Sequence, residues 1–187
     1  KVTYTVNAAG FVNVRSTYTG GKGENLPELP RLGMRFRLPR AMESFSYYGR
    51  GPEENYWDRN NGTLPGLYTT TAAAENYPYV RPQETGHHTD TEWIRFKGLE
   101  IVADDRMEFN VLCNAIEEYD PATNTTRDYQ WRNFFEGDKA TQNDRRQMHT
   151  NDIDTSTNDF VEVCLDYRQT GVGGYDSWGS RPEARFT

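Results

Sequence analysis

The sequence predicts an all-β, large antiparallel sandwich with long loops, and three observations carry that expectation. Apolar and polar residues alternate with period two in segments spread along the whole 187-residue chain, the mark of strands with one covered face. Helical periodicity is thin. Twelve Tyr, nine Phe and four Trp supply the rings for a core and are too many for a disordered tail. The length fits a single domain over 1–187, able to bury roughly 70% of its unfolded surface.

The elements follow in order. Val2, Tyr4 and Val6 share one face, Asn7-Ala8-Ala9-Gly10 reads as a turn, and Val12 and Val14 alternate with Asn13 and Arg15, so the chain opens with a β-hairpin. Gly20-Gly21-Lys22-Gly23 is a flexible loop. Leu32, Met34, Phe36 and Leu38 oppose Arg35 and Arg37 on the next strand. Asn60-Asn61-Gly62 is a sharp turn signal. Met107, Phe109, Val111 and Cys113 oppose Glu108 and Asn110, and Val161, Val163, Leu165 and Tyr167 oppose Glu162, Asp166 and Arg168. In each case one face is expected apolar and the other wet. Thr141 to His149 is the one stretch that could make a short helix, with a weak apolar stripe.

Composition narrows the partners. The apolar runs are too short for a membrane-spanning helix. A net charge of −7 argues against nucleic acid, whose phosphates demand clustered Lys and Arg. The start at Lys1-Val2-Thr3-Tyr4 and the end at Ala184-Arg185-Phe186-Thr187 read as cuts, so the chain is expected to be a piece of something larger, truncated at both ends. Cys113 and Cys164 sit in strand-like segments; they are either buried thiols or one cross-strand disulfide, and the latter would imply an oxidising compartment.

No nucleophile elbow, P-loop or His-Glu-x-x-His motif is present. His87 and His88 are adjacent, so on a strand they point to opposite faces and cannot share a metal ion; they read as a polar loop pair. His149 is isolated. No zinc site is expected. Among 28 Asp and Glu, glycoside hydrolysis would need two flanking one bond, and sequence alone cannot pair them. Two clusters stand out. Gly49-Arg50-Gly51-Pro52-Glu53-Glu54-Asn55-Tyr56-Trp57-Asp58-Arg59 reads as a rigid corner held by Arg–carboxylate pairs and packed Tyr56 and Trp57, in preference to a binding site. Gly171-Val172-Gly173-Gly174-Tyr175-Asp176-Ser177-Trp178-Gly179 can present an indole at a loop tip, with Asp176 and Ser177 holding the turn. Such a ring either lies against the C–H face of a sugar or closes one end of the sandwich.

These residues resemble a known family. The run from Leu165 to Gly179 is similar to the closing signature of glycoside hydrolase family 2 β-galactosidases, a Gly-Gly-Asp-Asp-Ser-Trp core in which Tyr175 here replaces the first Asp. The Gly49–Arg59 stretch resembles the family's Gly-x-Gly-Pro-x-Glu-Asn-Tyr-x-Asp-Arg. Pro78-Tyr79-Val80-Arg81-Pro82-Gln83-Glu84-Thr85-Gly86 resembles Pro-Tyr-Val-x-Pro-Gln-Glu-x-Gly, with Thr85 where Asn is usual, and Arg31-Leu32-Gly33-Met34 matches the preceding strand. The resemblance covers about Arg31 to Arg181.

It implies the carboxyl-terminal, small-chain domain, a supersandwich of the galactose mutarotase type. It also implies that the catalytic glutamates and the magnesium and sodium sites lie in a TIM barrel outside this chain, so no catalytic residue, metal or cofactor is expected here. The implied contribution is the Trp178 ring, supported by Gly174, Asp176 and Ser177, stacking on a galactoside such as lactose. The parent is expected to be a homo-oligomer, with its compartment, periplasmic, secreted or cytoplasmic, left open. One departure is the polar stretch 127–157, where the family has a Leu-rich helix followed by a His that His149 would match. The alternatives are a stand-alone aldose 1-epimerase, which needs a His acid and a Glu base across one cleft, and a purely structural interaction module.

Overall fold

The computed structural model describes residues 1–20, 31–79, 85–119 and 153–169. They form eight strands and two single-turn 3₁₀ segments, with no α-helix among the described residues. The strands are β1 (Val2–Val6), β2 (Val12–Ser16), β3 (Arg31–Pro39), β4 (Ser44–Gly51), β5 (Leu64–Thr71), β6 (His87–Phe96), β7 (Leu99–Leu112) and β8 (Phe160–Gln169). Every pairing is antiparallel: β1–β2 form one sheet and β3-β8-β7-β6-β4-β5 the other. The expected all-β class is what the chain adopts.

The hairpin forms where its turn signal lies. Gly10 N–H donates to Asn7 O at 3.2 Å with Gly10 at φ +87°, a left-handed conformation that glycine takes at little steric cost. Val2, Tyr4, Val6, Val12 and Val14 share one exposed face of it. In the large sheet the alternation of β7 and β8 is realised on the core side. Phe109 pairs with Leu165 and Val111 with Val163, and Met107, Phe109, Val111, Cys113, Val161 and Val163 join Phe45, Tyr47, Ile94 and Phe96 in one buried cluster. Phe45 meets Phe109 edge-on at 5.9 Å and Tyr47 meets it at 5.1 Å, geometries that add about 0.5–1.5 kcal/mol per pair beyond area burial.

Three details depart from expectation. Leu32 and Met34 lie apart from this cluster, which takes only Phe36 and Leu38 from β3; the β3–β8 register also shifts between Leu32 and Gly33, which breaks the alternation there. Tyr167, expected to face inward with Leu165, is 78% exposed; the β7–β8 ladder ends at the Glu108–Asp166 pair, so nothing on β7 covers it. Finally, the second face of the sheet is not wet at its centre. Glu108, Asn110, Glu162 and Asp166 are all buried, and the physical reason is a supply of donors. Arg31 bonds Asp166 and reaches Asn110 Oδ1 at 3.0 Å, while Arg35 and Arg37 flank Glu162 at 3.4 and 3.2 Å.

No disulfide joins the cysteines. Cys113 belongs to the core cluster, whereas Cys164 pairs across the ladder with Asn110 on the other face. Burial raises the Cys113 thiol pKa above its ordinary value, as expected for a thiol kept from water.

Candidate functional site

A densely connected polar region among the described residues is the corner that follows β4. Its backbone turns through a cis Gly51–Pro52 bond, and its side chains are fixed one after another. Arg50 donates from Nε to Asp90 Oδ2 at 2.6 Å and from Nη1 to the carbonyl of Thr63 at 2.8 Å. Asn55 is fully buried. Its amide donates to the carbonyls of Arg50 and Glu53, and its Oδ1 accepts from Thr89 N–H at 3.0 Å and Thr89 Oγ1 at 2.6 Å. Tyr56 is sealed between the ring of His87, stacked at 5.0 Å, and the guanidinium of Arg59 at 4.2 Å. Burial raises the pKa of Asp58 above its usual value, and neighbouring Arg59 lowers it in part. The corner is therefore held by Arg–carboxylate pairs and packed rings, as its sequence suggests.

Glu54 ties this corner to the second motif. Its carboxylate accepts from Gly86 N–H at 2.7 Å, Thr85 Oγ1 at 3.2 Å, Arg59 Nη2 at 3.2 Å and the Tyr79 hydroxyl. Gly86 has φ +69°, and a Cβ there would stand 2.6 Å from the carbonyl oxygen of Glu75. The Gly-Pro-Glu-Glu-Asn run and the Thr85-Gly86 end of the other motif are thus one unit, and charged-acceptor bonds of this kind contribute about 1.5–3 kcal/mol each.

His87 and His88 contradict the expected polar loop pair. They open β6, and both are fully buried. Their side chains do take opposite faces. His87 reaches Glu108 Oε2 at 3.0 Å through Nε2 and Asn110 Oδ1 at 2.9 Å through Nδ1. Asn110 Nδ2 donates to Thr85 O at 2.7 Å, which fixes that amide with its oxygen toward the imidazole. His88 reaches Glu75 Oε2 at 2.7 Å through Nε2 and the carbonyl of Arg50 at 2.9 Å through Nδ1, and its ring stacks on Phe109 at 4.9 Å. Sequence reasoning missed Glu75 and Glu108 as partners. The available signal was the Gly86-His87-His88 junction, which puts one imidazole on each face at the mouth of a strand.

Glu108 Oε1 also accepts from Trp57 Nε1 at 2.5 Å, and Arg168 lies over the Trp57 ring at 4.3 Å. The carboxylates and imidazoles of this region are engaged in bonds that hold strands together. The arrangement can brace and position: a group that exchanges protons with a bound substrate must reach it, and His87, His88, Glu75 and Glu108 are buried against one another. No three His, Cys, Asp or Glu side chains gather as a metal site among the described residues. Trp178, Gly174, Asp176, Ser177 and His149 all lie outside the described residues, as do the Thr141–His149 stretch and positions 80–84.

The comparisons with known proteins agree with each other. A family model described as β-galactosidase small chain matches residues 1–187. A β-galactosidase of Priestia megaterium is 30% identical over 191 residues, covering 100% of this chain and 16% of that protein. One of Streptococcus thermophilus is 32% identical over 189 residues, again covering 100% of this chain and 16% of the relative. A β-galactosidase of Clostridium acetobutylicum reaches 51% identity over 71 residues, 38% of this chain and 8% of that one. The chain thus spans about a sixth of the length of the first two relatives.

Proposed function

Because the chain belongs to the β-galactosidase small-chain family, we propose that it is the non-catalytic, carboxyl-terminal part of a retaining β-galactosidase. The parent hydrolyses terminal β-D-galactosides such as lactose. Its two catalytic carboxylates, about 5 Å apart in a retaining enzyme, and its magnesium and sodium ions belong to a barrel outside this chain. Trp178 reaches the sugar and stacks on its C–H face. The single observation that supports this reading is the family match over the whole chain.

The sealed corner supports the division of labour. An aldose 1-epimerase must offer an open imidazole and an open carboxylate to one sugar, and His87 and His88 instead face Glu108 and Glu75 inside the protein.

Kinetics in the full-length protein test the proposal. Trp178→Ala weakens galactoside binding by roughly 1–2 kcal/mol, the range of one aromatic contact with its burial. Unchanged KM and kcat would remove the stacking role. The chain by itself hydrolyses no galactoside and gives no titration heat with galactose; a micromolar Kd in calorimetry, or accelerated mutarotation of α-galactose, would contradict the assignment.

A further inference from the structure

His88 stands with a hydrogen-bond acceptor at each ring nitrogen. Nε2 is 2.7 Å from Glu75 Oε2, and Nδ1 is 2.9 Å from the carbonyl oxygen of Arg50. A neutral imidazole carries one N–H and can serve only one of them. With the proton on Nε2, the lone pair of Nδ1 faces the carbonyl. With the proton on Nδ1, the lone pair of Nε2 faces the carboxylate. The Asn55 amide, 3.5 Å from Nδ1, does not resolve this conflict, because its protons go to the carbonyls of Arg50 at 3.1 Å and Glu53 at 3.2 Å. The Tyr47 hydroxyl can donate to Nδ1 at 3.2 Å or to Pro52 O at 3.4 Å, and neither choice removes the carbonyl of Arg50, which lies closer.

Burial decides the charge. His88 is fully buried, and the side chain of Glu75 is 6% exposed. Among the described residues no Arg or Lys pairs with Glu75; its ion-pair partner is His88. A carboxylate left alone in such a place is costly. One further proton removes both faults: Nδ1–H donates to Arg50, and the other proton lies between Nε2 and Oε2. The pair then has zero net charge whether that proton is drawn on the imidazole or on the carboxyl group. The titratable groups nearby are Tyr47 of β4, with Tyr68 of β5 beside it at 5.5 Å, and Glu53 of the corner, whose charge acts on Tyr47. Burial pushes the Tyr47 phenol well above its ordinary pKa, so that hydroxyl stays neutral. β7 presents the ring of Phe109, and the guanidinium of Arg50 is turned to Asp90.

We infer that His88 and Glu75 form a proton-operated latch: folded, they hold between them one proton that the unfolded chain gives up above about pH 6.5, and that proton ties the turn after β5 and the start of β6 to the Gly49–Arg59 corner. Between about pH 5 and 6.5 the folded and unfolded pair bind the same number of protons, and the latch is at full strength; above that range the folded pair binds one more, so stability falls as pH rises. Alkali that removes the proton leaves a negative charge sealed inside and loosens the junction. Trp178 and the sugar take no part.

Hydrogen exchange in the full-length enzyme tests the latch. Wild type and Glu75→Gln are compared between about pH 6 and 9 over residues 86–96, each amide rate divided by its intrinsic rate at that pH, so that the ratio reports opening. Gln still offers an oxygen to Nε2 but brings no charge to balance, so His88 takes up no extra proton. The protection of the wild type relative to Glu75→Gln falls above about pH 6.5 by up to tenfold per pH unit, the dependence of one linked proton. Groups outside the pair, the Cys113 thiol among them, act alike in both proteins and cancel. The double variant Glu75→Gln with His88→Gln puts amides in both places and is the second reference should Glu75→Gln fold poorly; the ratio to it falls in the same way. A ratio independent of pH, or wild-type protection that stays constant over the whole range, overturns the latch.

Discussion

His88 and Glu75 face each other inside the protein, Nε2 to Oε2 at 2.7 Å, with neither side chain open to solvent. The pair links the start of β6 to the turn after β5, and Tyr47 lies beside it with its hydroxyl 3.2 Å from His88 Nδ1. Breaking a buried pair on one side leaves a polar group without its partner, which costs about 3–5 kcal/mol. Glu75→Leu is expected to lower the unfolding free energy, read from denaturant titration, by that order. Glu75→Gln, which still offers an oxygen to Nε2, is expected to cost less than half as much. Equal losses for the two variants would show that the imidazole does not depend on this acceptor.

Burial pushes the phenol pKa values of Tyr47 and Tyr119 well above their ordinary value, with Glu75 adding to the shift for Tyr47 and Cys113 for Tyr119. The folded pKa is raised, so the stability linked to these groups is fully present below about pH 10, the unfolded value. It is lost as pH rises beyond that, because the unfolded chain releases phenol protons that the folded chain keeps. Alkaline titration is expected to show phenolate absorbance from these two residues appearing together with loss of the near-ultraviolet circular dichroism signal. Tyr47→Phe removes one such group and is expected to move the alkaline transition upward. A smooth titration of every tyrosine near pH 10, with the fold intact, would contradict this.

Four strands, β1, β2, β3 and β8, and the second half of β7 from Met107 were legible as period-two segments, because their apolar residues alternate; the first half of β7 was not, since Asp104-Asp105-Arg106 interrupts the pattern. The other three were not. β4 mixes Gly49 and Gly51 with serines. β5 contains Pro65 and Gly66, tolerated because it is the edge strand among the described strands of its sheet. β6 begins His87-His88-Thr89-Asp90-Thr91, whose polar side chains find partners only in the folded state. Alternation reports which residues share a face but not what covers that face. Glu108, Asn110, Glu162 and Asp166 were therefore placed on the correct side and assigned the wrong environment. Their donors, Arg31, Arg35, Arg37, His87 and Trp57, come from distant parts of the chain. The corner Gly49–Arg59 was legible as a rigid unit, since Arg, carboxylates and rings in a Gly/Pro turn have few other uses, but its junction with Thr85-Gly86 through Glu54 was not.

Cys113 offers a check on the core itself. It is buried within the apolar cluster, its pKa raised mainly by desolvation, and it lies on the face opposite Cys164. In non-reducing and reducing gels the chain is expected to migrate identically. At pH 8 a thiol reagent is expected to label Cys113 slowly in the native protein and rapidly in denaturant. Fast native labelling at Cys113, or a mass short by two hydrogens, would mean the cluster is open or the two sulfurs are joined.

The glycine of the Arg31-Leu32-Gly33-Met34 motif answers to space rather than to backbone angle. A Cβ on Gly33 would stand 2.2 Å from the carbonyl oxygen of Leu165 and 2.2 Å from Asp166 Oδ1, beneath the register shift of β3 against β8. Neither atom can yield easily. The carbonyl is part of a strand, and Asp166 is held by Arg31, which also binds Asn110. Gly33→Ala is thus expected to cost about 1–3 kcal/mol, the range for forcing extra atoms into a packed site. Gly62→Ala, where nothing stands within 4 Å, is expected to cost well under that. Because Gly33 pairs with Asp166 and the β3 ladder continues from there to Gln169, Gly33→Ala should also speed hydrogen exchange at residues 166–169 more than at 107–112. Equal stability of Gly33→Ala and Gly62→Ala would show that the two strands do not approach as closely as described.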